Sequence, residues 1–145
     1  MGRTMSEPVL LYVEDDPNDE ELMIRALRRA DAKCTIRIAR DGAEALDAIF
    51  ADAERPLPDL VLLDYKLPKV DGVEIIRRLR SDPRTRHIPA IVLSSSETPE
   101  SITEAYEAGA NSYLCKPMQA PSIDKLAAAF AAYWLDHNKR CPSRS

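Results

Sequence analysis

The sequence predicts an α/β protein built on a five-stranded parallel sheet, doubly wound, with helices on both faces. Three observations carry this. Short apolar runs recur along the chain, such as Leu60-Val61-Leu62-Leu63, and read as strands covered on both sides. Segments with apolar residues at helical spacing separate them. The runs are also followed by polar residues, acids above all, as expected where strands open onto a binding rim.

Each element has its own signal. "EPVLLYVEDD" (7–16) is an apolar run ending in acids, the first strand. Asp16-Pro17 supplies an N-cap with proline at the first helical position, and Leu22, Ala26, Leu27 and Ala30 follow at helical spacing. "CTIRIAR" (34–40) alternates, as a strand near a sheet edge does. Asp41-Gly42 is a turn, "AEALDAIFADA" a helix, and "ERPLP" breaks it. "DLVLLD" holds the third strand. "DGVEIIRRLRS" (71–81) places Val73, Ile76 and Leu79 on one side of a third helix. "IPAIVLSS" is the fourth strand. Thr98-Pro99 opens a helix that Gly109 closes. "NSYLC" is a short fifth strand, and "APSIDKLAAAFAAYWL" (120–135) is the last helix. Strands alternating with helices imply right-handed crossovers and a parallel sheet. One domain over residues 7–136 is expected, with flexible tails at 1–6 and 137–145.

Composition narrows the function classes. The chain has 145 residues, 45% hydrophobic and 30% charged, with a net charge of −4. That is ordinary for a globular domain and offers no basic surface for nucleic acid. No apolar run approaches the roughly 20 residues needed to cross a bilayer. The N-terminal segment lacks the apolar core of a secretory signal. Three widely spaced cysteines, Cys34, Cys115 and Cys141, form neither a disulfide framework nor a zinc motif, and point to a reducing cytoplasm.

The chemistry gathers at the strand ends. The first strand ends in Glu14, Asp15 and Asp16, the third in Asp64, the fourth in Ser94 and Ser95, and the fifth in Lys116. Taken singly, each has a bland explanation: an Asp after a strand is commonly a cap, and a Lys before Pro a solvated residue. Together they form a constellation. Clustered carboxylates repel unless a cation sits among them. Oxygen ligands without His or Cys suit Mg²⁺ or Mn²⁺, and such a site favours phosphoryl chemistry. Asp64 stands alone on the central strand and is the best candidate for a nucleophile forming an acyl phosphate. Ser94 and Lys116 supply donors for its oxygens.

The motifs "VEDD", "DLVLLDYKLPKVDG", "IPAIVLSSS" and "EAGANSYLCKP", in this order, resemble the receiver domains of two-component response regulators, over residues 7 to 135. The resemblance implies a flavodoxin-like fold and a phosphoryl group taken by Asp64 from a sensor histidine kinase. It implies Mg²⁺ (or Mn²⁺) held by Glu14, Asp15, Asp64 and the backbone carbonyl of Lys66, with Glu14 in place of the commoner Asp. It makes Ser94 and Tyr113 the switch pair and Lys116 the phosphate-contacting lysine, followed by a cis bond to Pro117. Asp16 is left as a helix cap. Lys66 and Ser96 are expected to flank the path of the water that hydrolyses the acyl phosphate.

A chain ending soon after the fifth helix resembles a stand-alone receiver, and some segments resemble the regulators paired with bacterial phytochromes. Ile123, Leu126, Ala127, Phe130 and Trp134 share one face of the last helix, Ala128, Ala131, Ala132 and Leu135 another. A helix apolar on two sides has two surfaces to pack against, so a homodimer through it is expected. Two other classes compete. A haloacid-dehalogenase-type phosphatase places an acid two residues after the nucleophile, where this chain has Lys66. A pseudo-receiver lacks one of Asp15, Asp64 or Lys116, and all are present.

Overall fold

A computed structural model describes residues 7–117 and 120–142. The expected tail at 1–6 lies outside the described residues, as do the last three residues of the tail at 137–145. The elements are β1 (Val9–Val13), α1 (Pro17–Arg29), β2 (Thr35–Ala39), α2 (Gly42–Phe50), β3 (Leu60–Leu63), α3 (Gly72–Ser81), β4 (Ala90–Ser94), α4 (Pro99–Ala108), β5 (Ser112–Cys115) and α5 (Ala120–Phe130). The last helix continues as a π-helix over Ala131–His137.

The five strands form one parallel sheet in the order β2-β1-β3-β4-β5, the doubly wound arrangement that the sequence predicts. Because side chains alternate along a strand, neighbouring residues feed opposite cores. Leu11, Val13, Val61 and Leu63 face Ala45, Ile49, Ile75, Ile76, Leu79 and Ala105 of α2, α3 and α4. Leu10, Tyr12, Leu60 and Leu62 face Met23, Ala26, Leu27, Ile123, Ala127 and Phe130 of α1 and α5. β3 and β4 are buried along their whole length, which explains their unbroken apolar runs.

Helix starts are set by side-chain caps. Asp16, Asp71 and Thr98 each accept a hydrogen bond from the first turn of α1, α3 and α4. Asp41, read as part of a turn, caps α2 in the same way. Gly109, at φ 117°, closes α4 in the left-handed region.

The structure corrects several expectations. Leu22 is 42% exposed, and Met23 takes its place in the core. In α3, Ile75 is buried beside the expected Val73, Ile76 and Leu79. α2 ends at Phe50, short of the expected stretch. The second face of the last helix also changes. Ala131 is only 4% exposed, and Leu135 packs against the α1–α5 core. Ala131 stands one turn past Ala127 and next to Phe130, so it continues the buried face at its edge; beyond it the helix turns π, with Asn138 N–H donating to Tyr133 O at 2.6 Å. The expected cis bond is absent: among the described residues every peptide bond is trans. The trans form is intrinsically preferred at X–Pro by about 0.5–1 kcal/mol. With it, Lys116 already donates its backbone N–H to Ser94 O and its ammonium to the site.

Candidate functional site

Strand register builds the site. Val13 pairs with Leu63, Leu63 with Val92, and Ser94 with Cys115. The next residues, Glu14, Asp64 and Lys116, therefore leave β1, β3 and β5 on one rim, with β4 and Ser94 between the last two. Backbone bonds fix their exits: Asp64 N–H to Val13 O at 3.1 Å, Glu14 N–H to Ala39 O at 3.0 Å, and Lys116 N–H to Ser94 O at 2.8 Å.

Gly72 lets α3 start close to this rim. A Cβ at Gly72 would stand 2.5 Å from the Asp64 carbonyl oxygen, and the Gly72 N–H donates to Tyr65 O at 3.1 Å. The loop between them, residues 64–71, also leans on α2. Gly42 N–H donates to Pro68 O, and Lys69, at φ 69°, reaches Asp41 Oδ2 at 3.2 Å.

Lys116 is the hub. Its Nζ lies 2.9 Å from Asp64 Oδ2, 2.9 Å from Glu14 Oε1 and 2.9 Å from Asp19 Oδ2. Burial pulls the ammonium's pKa down, but hydrogen bonds to the three carboxylates and the charge of Asp64 more than reverse this, leaving it above the usual lysine range. Glu14 is the opposite case. It is 1% exposed, and burial pushes its carboxyl up to about 7, against the pull of Lys116 and with added repulsion from Asp64. Its oxygens also accept from Tyr12 Oη at 3.3 Å and Asp16 N–H at 3.3 Å. Burial and the same acids raise the Tyr12 hydroxyl, so it stays a neutral donor.

Carboxylate oxygens of Glu14, Asp15 and Asp64 all lie within 4.8 Å of one another. Opposite ligands of an octahedral Mg²⁺ stand about 4.2 Å apart, twice its bond length of about 2.1 Å. The cluster fits a divalent cation in spacing and in its oxygen-only donor set. A buried Glu14 whose single cationic partner is shared with two other acids fits as well, because a further positive charge would relieve it.

The expected switch residues meet at the loop after β4. Ser94 is buried, and its Oγ accepts from Ser96 N–H at 3.0 Å. Tyr113 Oη donates to the same residue's carbonyl at 2.7 Å. Ser96 is thus held from both sides, while its own hydroxyl bonds Ser101. Tyr65, next to Asp64, stacks at a tilt on Tyr113 with ring centroids 6.3 Å apart and donates its hydroxyl to Glu104 of α4. Lys66 is exposed, and its backbone N–H lies 3.4 Å from Asp64 Oδ1. Asp16 caps α1 and stays out of the cluster.

Asp19 is the site residue that sequence reasoning missed. It looks like an ordinary acid in the first turn of a helix. The available signal was its place one helical turn beyond Asp15, on an element that starts at the rim.

Residues 10–128 match the model of the response regulator receiver domain family. Two similar proteins are FilR2 of Methanothrix harundinacea (strain 6Ac), 36% identical with 90% of this chain and 86% of FilR2 covered, and response regulator Rcp1 of Synechocystis sp. (strain ATCC 27184 / PCC 6803 / Kazusa), 31% identical with 88% and 89% covered. The solved structure of Rcp1 in its Mn²⁺-bound form superposes with a TM-score of 0.85 at 30% identity, covering 93% of this chain and 99% of that one. The phosphorylated cyanobacterial phytochrome response regulator RcpA gives 0.87 at 29% identity, covering 94% and 100%. With its fold, its rim of acids and its lysine in place, the chain belongs to the response regulator receiver domain family and is a phosphoacceptor signalling protein of two-component systems.

Proposed function

We propose that Asp64 is the phosphoacceptor, and that it takes its phosphoryl group from a sensor histidine kinase in a Mg²⁺-dependent reaction. The observation that carries this is the Lys116 ammonium 2.9 Å from Asp64 Oδ2, on a carboxylate whose other neighbours are the metal-competent Glu14 and Asp15. An Asp64 oxygen attacks phosphorus, the P–O bond forms as the phosphohistidine P–N bond breaks, and the imidazole leaves. Lys116 then follows the negative charge from the Asp64 oxygen onto the phosphoryl oxygens. A divalent cation held by Glu14, Asp15, Asp64 and the Lys66 carbonyl would neutralise those oxygens further. Ser94 Oγ supplies the remaining donor. Its hydroxyl is linked to Ser96, and Ser96 to Tyr113, so a turn of Ser94 toward the phosphoryl group is felt at the tyrosine.

The test is intact mass after incubation with acetyl phosphate and Mg²⁺. Wild type gains one phosphate, chelation of the metal prevents the gain, and Asp64→Asn gains none. An Asn variant labelled at another carboxylate at the wild-type rate sinks the assignment.

The receiver unit is taken as residues 7–136, acting in the cytoplasm through protein contacts or onward phosphotransfer, without direct contact to nucleic acid. Three free cysteines and a net charge of −4 support this setting. Among the described residues no helix is long and apolar enough to cross a membrane. The structural likeness to RcpA supports a bacterial phytochrome as the kinase. A homodimer involving the last helix is supported by the β5 edge and a cleft of about 400 Å³ beside it, lined by Leu114, Leu126, Phe130, Tyr133 and Trp134 among others.

A further inference from the structure

The phosphoacceptor reading leaves Asp19 without a task, although it touches the residue at the centre of the site. An ammonium has three N–H donors and no acceptor. Lys116 donates to Asp64 Oδ2 and Asp19 Oδ2, each at 2.9 Å, and its ammonium forms an ion pair with Glu14 Oε1 at the same distance. A lysine stem turns about four bonds, so one contact leaves the ammonium free to swing, and three from different directions fix it. The three come from three elements: the end of β1, the end of β3 and the first turn of α1.

The partners differ in what the reaction asks of them. Asp64 gives up its free oxygen when it becomes an acyl phosphate. Glu14 is drawn toward a cation. Asp19 lies outside the cluster of acids whose oxygens gather at cation-binding distance, and neither change involves it. Its side chain is 40% exposed against 15% for Lys116, so it closes the outer side of the ammonium. Its backbone is held as well. Pro17 opens α1, and the Asp19 N–H donates to Asp16 Oδ1 at 3.3 Å. The carboxylate is thus anchored on α1, an element that carries none of the reacting atoms.

We propose that Asp19 is a positioning residue that holds the Lys116 ammonium over Asp64 while the other two contacts of that ammonium change. The proposal rests on the reading of Asp64 as phosphoacceptor and Lys116 as its charge partner. It also assigns α1 a direct part in the site, beyond its packing against α5.

The contact is tested first on the unphosphorylated protein by ¹H–¹⁵N NMR of lysine ammonium groups. Shielded from exchange by three acceptors, Lys116 gives a resolved signal in wild type, assigned by its absence in Lys116→Ala. Asp19→Ala broadens or removes that signal, and Asp19→Asn, which keeps an acceptor oxygen at the same reach, retains it in part. Kinetics with acetyl phosphate follow. Asp19→Ala lowers the maximal rate of phosphate uptake roughly five- to tenfold, less than the roughly hundredfold that a 1 Å misplacement can cost, because two contacts of the ammonium remain. Its KM for the donor and its Mg²⁺ affinity change less than about twofold, because Asp19 binds neither. An unchanged ammonium signal together with an unchanged rate overturns the proposal. So does a loss of Mg²⁺ affinity that tracks the loss of rate, which would place Asp19 on the metal. Wild-type protein that takes up no phosphate overturns the phosphoacceptor reading instead, and the NMR comparison then decides the Asp19 contact on its own.

Discussion

Single residues at the rim are held to tight tolerances. Gly72 is the clearest case, because nothing larger fits between the start of α3 and the Asp64 carbonyl. Gly72→Ala is expected to cost about 1–3 kcal/mol, the usual range for forcing an extra methyl into packed structure. It should also slow phosphate uptake, because the residue it pushes against is the proposed phosphoacceptor. Urea unfolding and a phosphorylation time course check the two effects together. A variant with unchanged stability and rate would show that the loop after β3 yields freely. Lys66 illustrates the opposite condition. Two residues past Asp64 it is exposed, with room to extend into water or to fold over the site.

At the scale of an element, caps and helix phase decide most. Asp41 accepts from Glu44 N–H at 2.7 Å and pairs with Lys69, which ties the N-terminus of α2 to the loop after β3. The hydrogen bond from Glu44, with Lys69 beside it, holds the Asp41 carboxyl below its ordinary value of 3.8. A depressed folded-state pKa stabilises the protein above the unfolded value and loses that contribution as pH falls through the folded one. Asp41→Asn should therefore be less stable than wild type at neutral pH, and the difference should close below about pH 4. Denaturant midpoints across an acid series measure this, and a gap that persists at low pH would contradict the ionic part of the cap. The last helix yields a paired prediction. Ala131→Glu buries an unpaired charge and should destabilise the fold by several kcal/mol. Tyr133→Arg, at a side chain 53% exposed beside the cleft, should leave stability within about 0.5 kcal/mol.

For the whole molecule, the same tyrosine tests assembly. If the last helix and the β5 edge form a homodimer, wild-type protein sediments as a dimer at roughly tens of micromolar, and Tyr133→Arg moves it toward monomer. A wild type that is monomeric throughout that range removes the dimer for the unphosphorylated state. The two sides of the sheet also carry different duties. α1 and α5 pack together on one side, where Arg29 pairs with Asp124 at 2.7 Å. On the other side, α4 is tied to the neighbourhood of Asp64 through Glu104 and Tyr65, and the loop that leads into it through Ser96 and Tyr113. Charge gained at the rim therefore has a mechanical route to the α4 side.

What the sequence determined by itself lay in local chemistry. Apolar runs at β1, β3 and β4 marked buried strands, since only doubly covered strands tolerate them. Asp16, Thr98 and Gly109 marked helix ends, since caps are side-chain events within one turn. Glu14, Asp15, Asp64 and Lys116 could be gathered in advance, because a parallel sheet brings all its strand ends to one edge. What only the tertiary structure decided depended on distances between elements or on hydrogen bonding that periodicity does not report. Asp19 joins Lys116 across 97 positions of chain, and no local pattern marks it apart from any acid in a first turn. Met23 replaces Leu22 in the core because the helix lies a fraction of a turn from the phase its leucines suggest. Ala131 goes inward because it stands one turn past the buried Ala127, at the edge of the face that packs on the sheet, and only the packing decides on which side of that edge it falls.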